Sequence, residues 1–247
     1  MKISIITSTY NSAATIRDTL ESVRSQDYPD VEHIIIDGLS LDNTLKIVRL
    51  FPHVNCIVSE KDKGIYDAMN KGIKTSSGDI IGILNSDDFY VDNQVLSDIV
   101  TLFKADPGLQ CVYADLNYVD TQNTSKIIRK WKSGEFFENS FKLGWMPPHP
   151  TFFVKKSVYN QYGVFNLDMG TAADYELMLR FLEKYKCKVA YLPRIIINMR
   201  AGGASNQHLA ARWAAHKKDK EAWKINGLRA SFYTLYLKPL RKLKQFL

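Results

Sequence analysis

The chain has 247 residues, 45% of them hydrophobic, which fits one α/β domain of generous size. No run of 18 apolar residues occurs, and the first residues lack the length and cleavage site of a signal peptide, so we expect a cytoplasmic protein without a membrane span. The net charge of +7 is uneven: residues 208–247 carry ten Lys or Arg against two Asp or Glu, or +8, so residues 1–207 sum to −1. A nearly neutral body argues against a nucleic-acid-binding protein.

Strands and helices alternate over the first half of the chain. Short apolar runs predict strands, and apolar residues spaced three and four apart predict helices. The predicted strands are 2–7, 31–36, 55–59 and 80–84, and the predicted helices run over 16–23, from a Ser40 cap through Val48, and over 65–73. Such alternation with short connections predicts an α/β fold with a doubly wound, mostly parallel sheet.

Beyond residue 90 the pattern becomes mixed. A helix is predicted for 92–104, a hairpin of strands for 110–119 and 126–132, a strand for 151–154 and a helix for 174–185, followed by strands at 188–192 and 195–199. The segment 144–150 is too rich in proline for regular structure. C-terminal helices follow this mixed half.

Two adjacent carboxylates, Asp87 and Asp88, follow the buried strand at 80–84. Ligands of open α/β sheets bind outside the carboxyl ends of the strands, and this pair can reach towards a sugar hydroxyl and a cation. Mg²⁺ or Mn²⁺ held by one or two carboxylates and substrate phosphates is the expected chemistry. The alternative is that one Asp only caps the next helix.

The turn after the first strand, residues 7–12, contains no glycine, which excludes both the dinucleotide-binding fingerprint and the phosphate-binding loop. Instead the turn offers hydroxyls and Tyr10, a ring that could flank a base. Asp37, at the end of the second strand, could accept a hydrogen bond from a base imide or a ribose hydroxyl. The alternatives are a packed turn aromatic for Tyr10 and a turn former before Gly38 for Asp37.

Four segments together resemble a known family: Thr9–Asn11, Asp37–Thr44, Asp62–Gly72 and Asn85–Asp88. Their order and spacing are similar to those of the inverting glycosyltransferases of the large family two, which have the GT-A fold. The resemblance covers roughly residues 1–205 and is strongest in the first 90. It implies a nucleotide-diphosphate-sugar donor, with uridine diphosphate the commonest in the family, a divalent cation (Mn²⁺ or Mg²⁺) and transfer with inversion.

The resemblance assigns residues to the donor side of the site. Asp88 matches a metal ligand, with Asp87 beside it as a ribose contact and second carboxylate of the metal pair. The other expected nucleotide and donor contacts are Thr9, Tyr10, Asn11, Asp37, Asp62, Asp67 and Asn70. Residues 1–90 are then a nucleotide-binding half and residues 91–205 an acceptor half of one catalytic domain.

Inverting transfer needs a base that takes the proton of the acceptor hydroxyl. Asp174 opens a helix, where the family commonly places its base, often as Glu-Asp. Here Ala173 precedes it, so the match is partial and Glu176 remains the alternative. A purely structural interpretation makes Asp174 a helix cap and places Glu176 in the favourable first turn.

Two further residues are candidates. His149 lies between two prolines and resembles family positions near the acceptor, although a structural histidine fits equally well. Arg200 ends a strand before a glycine-containing loop, where a guanidinium could close over the departing diphosphate. A surface turn is the alternative for Arg200.

Residues 206–247 form a basic C-terminal extension, predicted to be helical. From Phe232 the apolar residues recur at helical spacing between cations, which is typical of a helix that lies on an anionic membrane. The alternative is packing on the domain or on a second copy of the chain. We therefore expect a glycan or lipid-linked saccharide acceptor, a role in surface polysaccharide synthesis and a peripheral position on the inner face of the cell membrane. A sugar nucleotidyltransferase and a non-catalytic nucleotide-sugar binder remain alternatives.

Overall fold

The computed structural model describes residues 1–202, 209–234 and 237. The strands are β1 Ile3–Thr9, β2 Val31–Asp37, β3 Val54–Ser59, β4 Ile80–Ile83, β5 Phe89–Tyr90, β6 Cys111–Val119, β7 Ile127–Trp131, β8 Phe153–Lys155 and β9 Val189–Arg200. The helices are α1 Ile16–Arg24, α2 Thr44–Val48, α3 Ile65–Thr75, α4 Val95–Ala105, α5 Lys156–Tyr162, α6 Ala173–Leu179 and α7 Leu209–Ile225. Short 3-10 turns occur at Ser140–Leu143, His149–Thr151 and Leu167–Ala172, and a π-helical turn at Arg180–Lys184 continues α6.

One sheet organises the described residues, with strand order β3-β2-β1-β4-β8-β6-β9-β5 and β7 paired to β6. The first four strands in this order are parallel. Strands β1 and β4 are buried along their whole length because helices cover both sides of the sheet there, as expected for a parallel sheet, whereas the edge strand β3 is exposed at alternate residues. The predicted alternation of strands and helices in the first half is confirmed.

The second half of the sheet is mixed, as predicted. Strand β8 is antiparallel to both β4 and β6, whereas β9 is parallel to β6. The sequence predicted two strands at 188–192 and 195–199, and this was wrong, because β9 is continuous. The pairing of β6 with β9 shifts register on both sides of Asp115, where the extra residues Pro193, Arg194 and Ile196 of β9 bulge out of the ladder. The two-residue strand β5 was not predicted.

Two main apolar clusters fill the two faces of the sheet. One contains Ile6, Ile34 and Ile36 with side chains of α3, α5, α6 and α7. The other contains Ile3 and Ile5 with side chains of α4. Alternate strand residues therefore enter opposite layers, and the strand ends, where the backbone leaves the core, remain available for a site.

One prediction about the helices is wrong, and another falls mainly on residues that the structure does not describe. Ser40 does not cap α2, which begins at Thr44, because the Ser40 N–H and hydroxyl both bind the Asp37 carboxylate. The apolar stripe predicted for the C-terminal extension lies mainly outside the described residues. Within them α7 packs on α6, with Ala222 and Trp223 buried, and no helix is both long and apolar enough to cross a membrane.

Candidate functional site

The carboxyl ends of the parallel strands bring the predicted donor residues to one edge of the sheet. Thr9, the last residue of β1, is paired in register with Asp37, the last residue of β2. Strand β4 lies on the other side of β1, and its extension places Asp87 and Asp88 at the same edge. The hydroxyl of Thr9 is buried there without a partner among the described residues. The edge therefore offers polar atoms that are available to hydrogen-bond a ligand.

The loops after β1 and β2 are fastened to each other. Asn11, at φ +50°, donates its N–H to Ser40 Oγ at 2.8 Å and accepts from the Leu41 N–H through Oδ1 at 2.8 Å. Asn11 therefore ties the two loops together. Its amide oxygen already accepts a hydrogen bond, so we do not expect that atom to contact the nucleotide sugar. The tie leaves Tyr10 61% exposed beside the strand ends. Tyr10 is thus a ring available for stacking.

Asp37 is fully buried under these loops. Its carboxylate accepts from the N–H and hydroxyl of Ser40 and from the hydroxyl of Ser59, the last at 2.7 Å. Three donors thus hold the charge in a dry position, as buried carboxylates require. A ligand can use only the acceptor capacity that these bonds leave.

Gly38, directly after β2, lies against the side chains of Asp62 and Tyr10. A Cβ at this position would come within 2.6 Å of Asp62 Oδ2 and 3.5 Å of the Tyr10 ring. The glycine therefore allows the Asp62 carboxylate to approach the backbone of the β2 loop and the aromatic ring. Asp62 also accepts from the Gly64 N–H at 2.9 Å, which orients it.

Asp67 and Asn70, the other polar candidates of the 62–72 motif, both form hydrogen bonds with the main chain. Asp67 accepts from the Lys63 N–H at 2.9 Å, at the start of α3. Asn70 forms two hydrogen bonds with the main chain of Phe165, so its amide has little capacity left for a donor. Asp67 does line an open cavity of about 430 Å³, whereas Asn70 does not. The lining is Lys61, Asp62, Lys63, Asp67 and Lys71.

Asp88, like Asp37, is a fully buried carboxylate of the edge. It is fully enclosed, Asn85 donates to its Oδ2 at 3.2 Å, and its Oδ1 has no partner within the described chain. Burial and then the charge of Asp87 raise the pKa of Asp88 well above its usual range. Burial also raises the pKa of Asp87, opposed by Arg200. Two crowded carboxylates of this kind favour a cation or a shared proton.

Arg200 lies at the end of a strand, as predicted, but its guanidinium is buried and paired within the protein. It is the last residue of β9 and is 6% exposed, and its Nη1 donates to the Asp87 carbonyl at 2.6 Å while Nη2 pairs with Asp18. Its guanidinium also lies 5.1 Å from the Phe89 ring centroid. These contacts hold the acidic turn, while Nε is buried without a partner among the described residues. The predicted mobile loop, 201–205, lies largely outside the described residues.

Asp174 lies in the first turn of α6 and is partly exposed, with Oδ1 accepting from the Tyr175 N–H at 2.7 Å. Tyr66 of α3 faces it: burial and then the negative charge of Asp174 raise the Tyr66 pKa well above its usual value. Burial lowers the pKa of His149, and the Asp174 charge opposes that shift. Asp174 and His149, chosen from the sequence, are therefore neighbours.

Glu176 does not belong to this group. It is 2% exposed, and Arg180 binds both of its carboxylate oxygens, at 2.9 and 3.0 Å. Asn226 of the segment after α7 donates to Oε1 at 3.0 Å. Both carboxylate oxygens of Glu176 are thus used in contacts that fasten α6 to the end of α7. The structure therefore gives no support to Glu176 as the base.

Tyr66 and Tyr118 were missed by sequence analysis. Burial raises the pKa of Tyr118 above its usual value. The charges of Asp88 and Asp174 act in the same direction, and Arg129 opposes them. Tyr118 is therefore within electrostatic range of both Asp88 and Asp174. The only available signal was the place of Tyr66 inside the 62–72 motif, where helical spacing suggests core packing instead.

The described residues can be tested for their fit to a divalent cation. No three His, Cys, Asp or Glu side chains converge in residues 1–202, 209–234 and 237. However, Mg²⁺ and Mn²⁺ sites that also bind phosphates need only one or two protein carboxylates. Asp88 Oδ1 is such a ligand atom, buried and without a partner. The acidic pair therefore fits a cation that is shared with a phosphorylated substrate.

Known proteins share both the fold and the sequence pattern. The chain is 26% identical over 208 residues to a PGL/p-HBAD biosynthesis glycosyltransferase of Mycobacterium bovis BCG, covering 82% of this chain and 78% of the relative. It is 32% identical over 181 residues to an uncharacterised glycosyltransferase of Mycobacterium tuberculosis H37Rv, covering 72% and 68%.

Solved structures show the same architecture. S. aureus TarS 1–349 in complex with UDP-GlcNAc matches with a TM-score of 0.72 and 19% identity, over 96% of this chain and 69% of that one. The Pyrobaculum calidifontis mannosyltransferase PcManGT, in complex with GDP-Man and Mn²⁺, matches with a TM-score of 0.62 and 17% identity, over 100% and 81%. The predicted GT-A fold is thereby confirmed. The model of glycosyl transferase family 2 matches residues 4–162, and the chain belongs to that family of glycosyltransferases.

Proposed function

We propose that this glycosyltransferase moves a sugar from a nucleoside diphosphate sugar, with UDP as the nucleotide, to a hydroxyl of a glycan or lipid-linked saccharide, with inversion and with Mn²⁺ or Mg²⁺. The observation that carries the proposal is the unpartnered, buried Oδ1 of Asp88 at the carboxyl edge of the sheet. An ionised carboxylate is strongly destabilised in such a position unless a cation or donor completes it.

The donor would bind along the carboxyl ends of β1, β2 and β4. Tyr10 offers a ring for the base, Asp37 and Asp62 offer acceptors, and Asp87 would contact the ribose. Asp87 and Asp88 would hold the cation, which neutralises the charge that grows on the leaving diphosphate. The complexes of TarS with UDP-GlcNAc and of PcManGT with GDP-Man and Mn²⁺ support a ligand of this class.

Asp174 would accept the acceptor's proton. Its carboxylate is partly exposed at the start of α6, unlike the buried and paired Glu176. The acceptor oxygen would attack the anomeric carbon from the side of Asp174 while the diphosphate leaves from the opposite side. A single displacement of this kind inverts the configuration, and base catalysis contributes about 10² to 10⁴ in rate.

The acceptor side would face a membrane from the cytoplasm. The +8 charge of residues 208–247 supports a peripheral position against anionic lipid. The M. bovis relative is a PGL/p-HBAD biosynthesis glycosyltransferase, which supports a role in the synthesis of surface glycans or glycolipids. His149, beside Asp174, would then line the acceptor side.

The test is a panel of nucleotides and nucleotide sugars, screened by thermal shift with and without Mn²⁺. We expect Mn²⁺-dependent stabilisation by one nucleoside diphosphate and its sugars, followed by transfer. Asp88→Ala should lose the Mn²⁺-dependent part by calorimetry, since the cation loses its protein ligand. Asp30→Ala, an exposed carboxylate before β2, is the matched control. Undiminished binding by Asp88→Ala would remove the metal role.

A further inference from the structure

The hairpin of β6 and β7 carries an unusual outer surface. Ile127 and Ile128 are adjacent and 46% and 43% exposed, and Lys130 and Lys132 are exposed beside them. Residues 120–132 contain four cations and one carboxylate, or +3, so the rest of residues 1–207 sums to −4. The hairpin is thus basic where two apolar side chains face solvent.

The exposed Ile127 and Ile128 lie on a strand, β7, that is fixed by contacts on its other side. Tyr118 and Arg129 are paired in register, and the Tyr118 and Trp131 rings are parallel within 7° with centroids 6.5 Å apart. The Arg129 guanidinium lies 3.7 Å from the Tyr118 centroid and 5.9 Å from that of Trp131. This cluster holds the inner side of β7, so Ile127 and Ile128 cannot turn inward without breaking it.

The hairpin lies next to the candidate site. Val119 is paired with Ile127 on one side and with Arg200 on the other. Two strand spacings, about 10 Å, therefore separate Ile127 from the residue that holds the Asp87–Asp88 turn. Any large surface bound by this hairpin would meet the protein at the edge that carries the site.

We propose that the outer surface of β7, formed by Ile127, Ile128, Lys130 and Lys132, docks on an anionic lipid bilayer. Lysines alone are a common protection for an edge strand such as β7. Two adjacent exposed isoleucines serve no such purpose, but together with cations they match a bilayer interface, where apolar side chains enter and lysines bind acidic headgroups.

Lipid binding by the hairpin is independent of the proposed function, and only its consequence for the acceptor rests on that function. Docking here would present a lipid-linked acceptor to the Asp174 side of the site, and it would add a contact within the catalytic domain to that expected from the basic extension. Binding to lipid itself requires neither donor nor acceptor. The two proposals therefore succeed or fail separately.

The test is co-sedimentation of the full chain with mixed phosphatidylcholine–phosphatidylglycerol vesicles and with pure phosphatidylcholine vesicles at low salt. Two hairpin variants are compared, Ile127→Ser/Ile128→Ser and Lys130→Glu/Lys132→Glu. The matched controls are Leu50→Ser/Ile57→Ser and Lys46→Glu/Arg49→Glu, at exposed positions of α2, the loop after it and β3. We expect each hairpin variant to bind mixed vesicles roughly tenfold more weakly, with both controls unchanged.

Wild-type affinity in both hairpin variants would overturn the proposal, as would equal losses in the controls. A melting temperature that falls much further in Ile127→Ser/Ile128→Ser than in Leu50→Ser/Ile57→Ser, without vesicles, would also overturn it, because the isoleucines would then be covered by protein. Calorimetry with UDP and Mn²⁺ on the same variants should match wild type. Absence of nucleotide binding in the wild-type chain would count against the proposed function and leave the vesicle result standing.

Discussion

The side chain of Asn70 forms a two-way bridge to the main chain of Phe165, 95 residues away. Its Nδ2 donates to the Phe165 carbonyl at 2.9 Å, and its Oδ1 accepts from the Phe165 N–H at 2.9 Å. One turn earlier on α3, the Tyr66 ring packs on Phe165 with centroids 5.3 Å apart. The same ring of Phe165 meets His149 edge to face at 5.4 Å. This contact joins the helix of the donor motif to the segment that leads into Asp174.

We expect Asn70→Ala to destabilise the protein and to impair the acceptor side. The substitution leaves two main-chain groups of Phe165 without partners, at a cost of about 1–3 kcal/mol each where they stay dry. Denaturant unfolding measures the loss, and initial rates over a range of acceptor concentrations measure the effect on KM. Lys74→Ala, exposed on the same helix, is the control. Equal stability of both variants would show that the bridge contributes nothing.

We expect Asp174→Asn to lose transfer by at least about a hundredfold while it keeps donor affinity. The amide preserves the shape of the side chain but cannot take a proton. Single-turnover assays and calorimetry with donor separate the two effects. The result that would reassign the base is near-normal turnover in this variant.

Glu176→Gln should behave in the opposite way. It leaves Arg180 without its charged partner in a buried site, where broken pairs cost about 3–5 kcal/mol. We expect a lower melting temperature and nearly unchanged turnover per folded molecule below the transition. A stable Glu176→Gln with lost turnover would restore Glu176 as the candidate base.

For Arg200→Lys we expect weaker binding of nucleoside diphosphate with Mn²⁺ and lower stability. Lysine keeps the charge but cannot contact the Asp87 carbonyl and Asp18 in the same geometry as the guanidinium. Thermal melts and calorimetry measure both effects. If stability and donor affinity are instead unchanged and only turnover falls, Arg200 acts on the departing diphosphate, as first predicted from the sequence.

Acid should destabilise the fold through His33. Its Nε2 is 3.1 Å from Thr7 Oγ1 and its Nδ1 is 3.1 Å from His53 Nε2, and burial, then the His53 charge, lower its pKa to about 3. Between pH 6.5 and about 3 the unfolded chain binds a proton that the folded one does not. Stability is therefore retained above pH 6.5 and lost as the pH falls, by up to about 1.4 kcal/mol per pH unit.

Denaturant unfolding at several pH values tests this. His33→Gln should lose less stability than wild type between pH 6.5 and 4, whatever its stability at neutral pH. Parallel pH profiles for the two proteins would show that His33 does not carry the acid sensitivity.

The chain's sequence alone determined the strands and helices of the first half, the placement of Asp37, Asp87 and Asp88 at strand ends, and the family. These features depend on local periodicity and on residues close together in the chain, where physical constraints are short-range. The sequence also placed Asp174 at the start of a helix near the site.

Only the tertiary structure decided which polar residues still have capacity for a ligand. Asn11, Asn70, Glu176 and Arg200 have the same chemistry as binding residues, but partners distant in sequence use part of their hydrogen-bonding capacity: Leu41, Phe165, Asn226 and Asp87. The continuity of β9 and the meeting of Tyr66 with Asp174 are likewise long-range. Hydrogen-bonding capacity is used up by whichever group the fold brings near, and a sequence does not show which group that is.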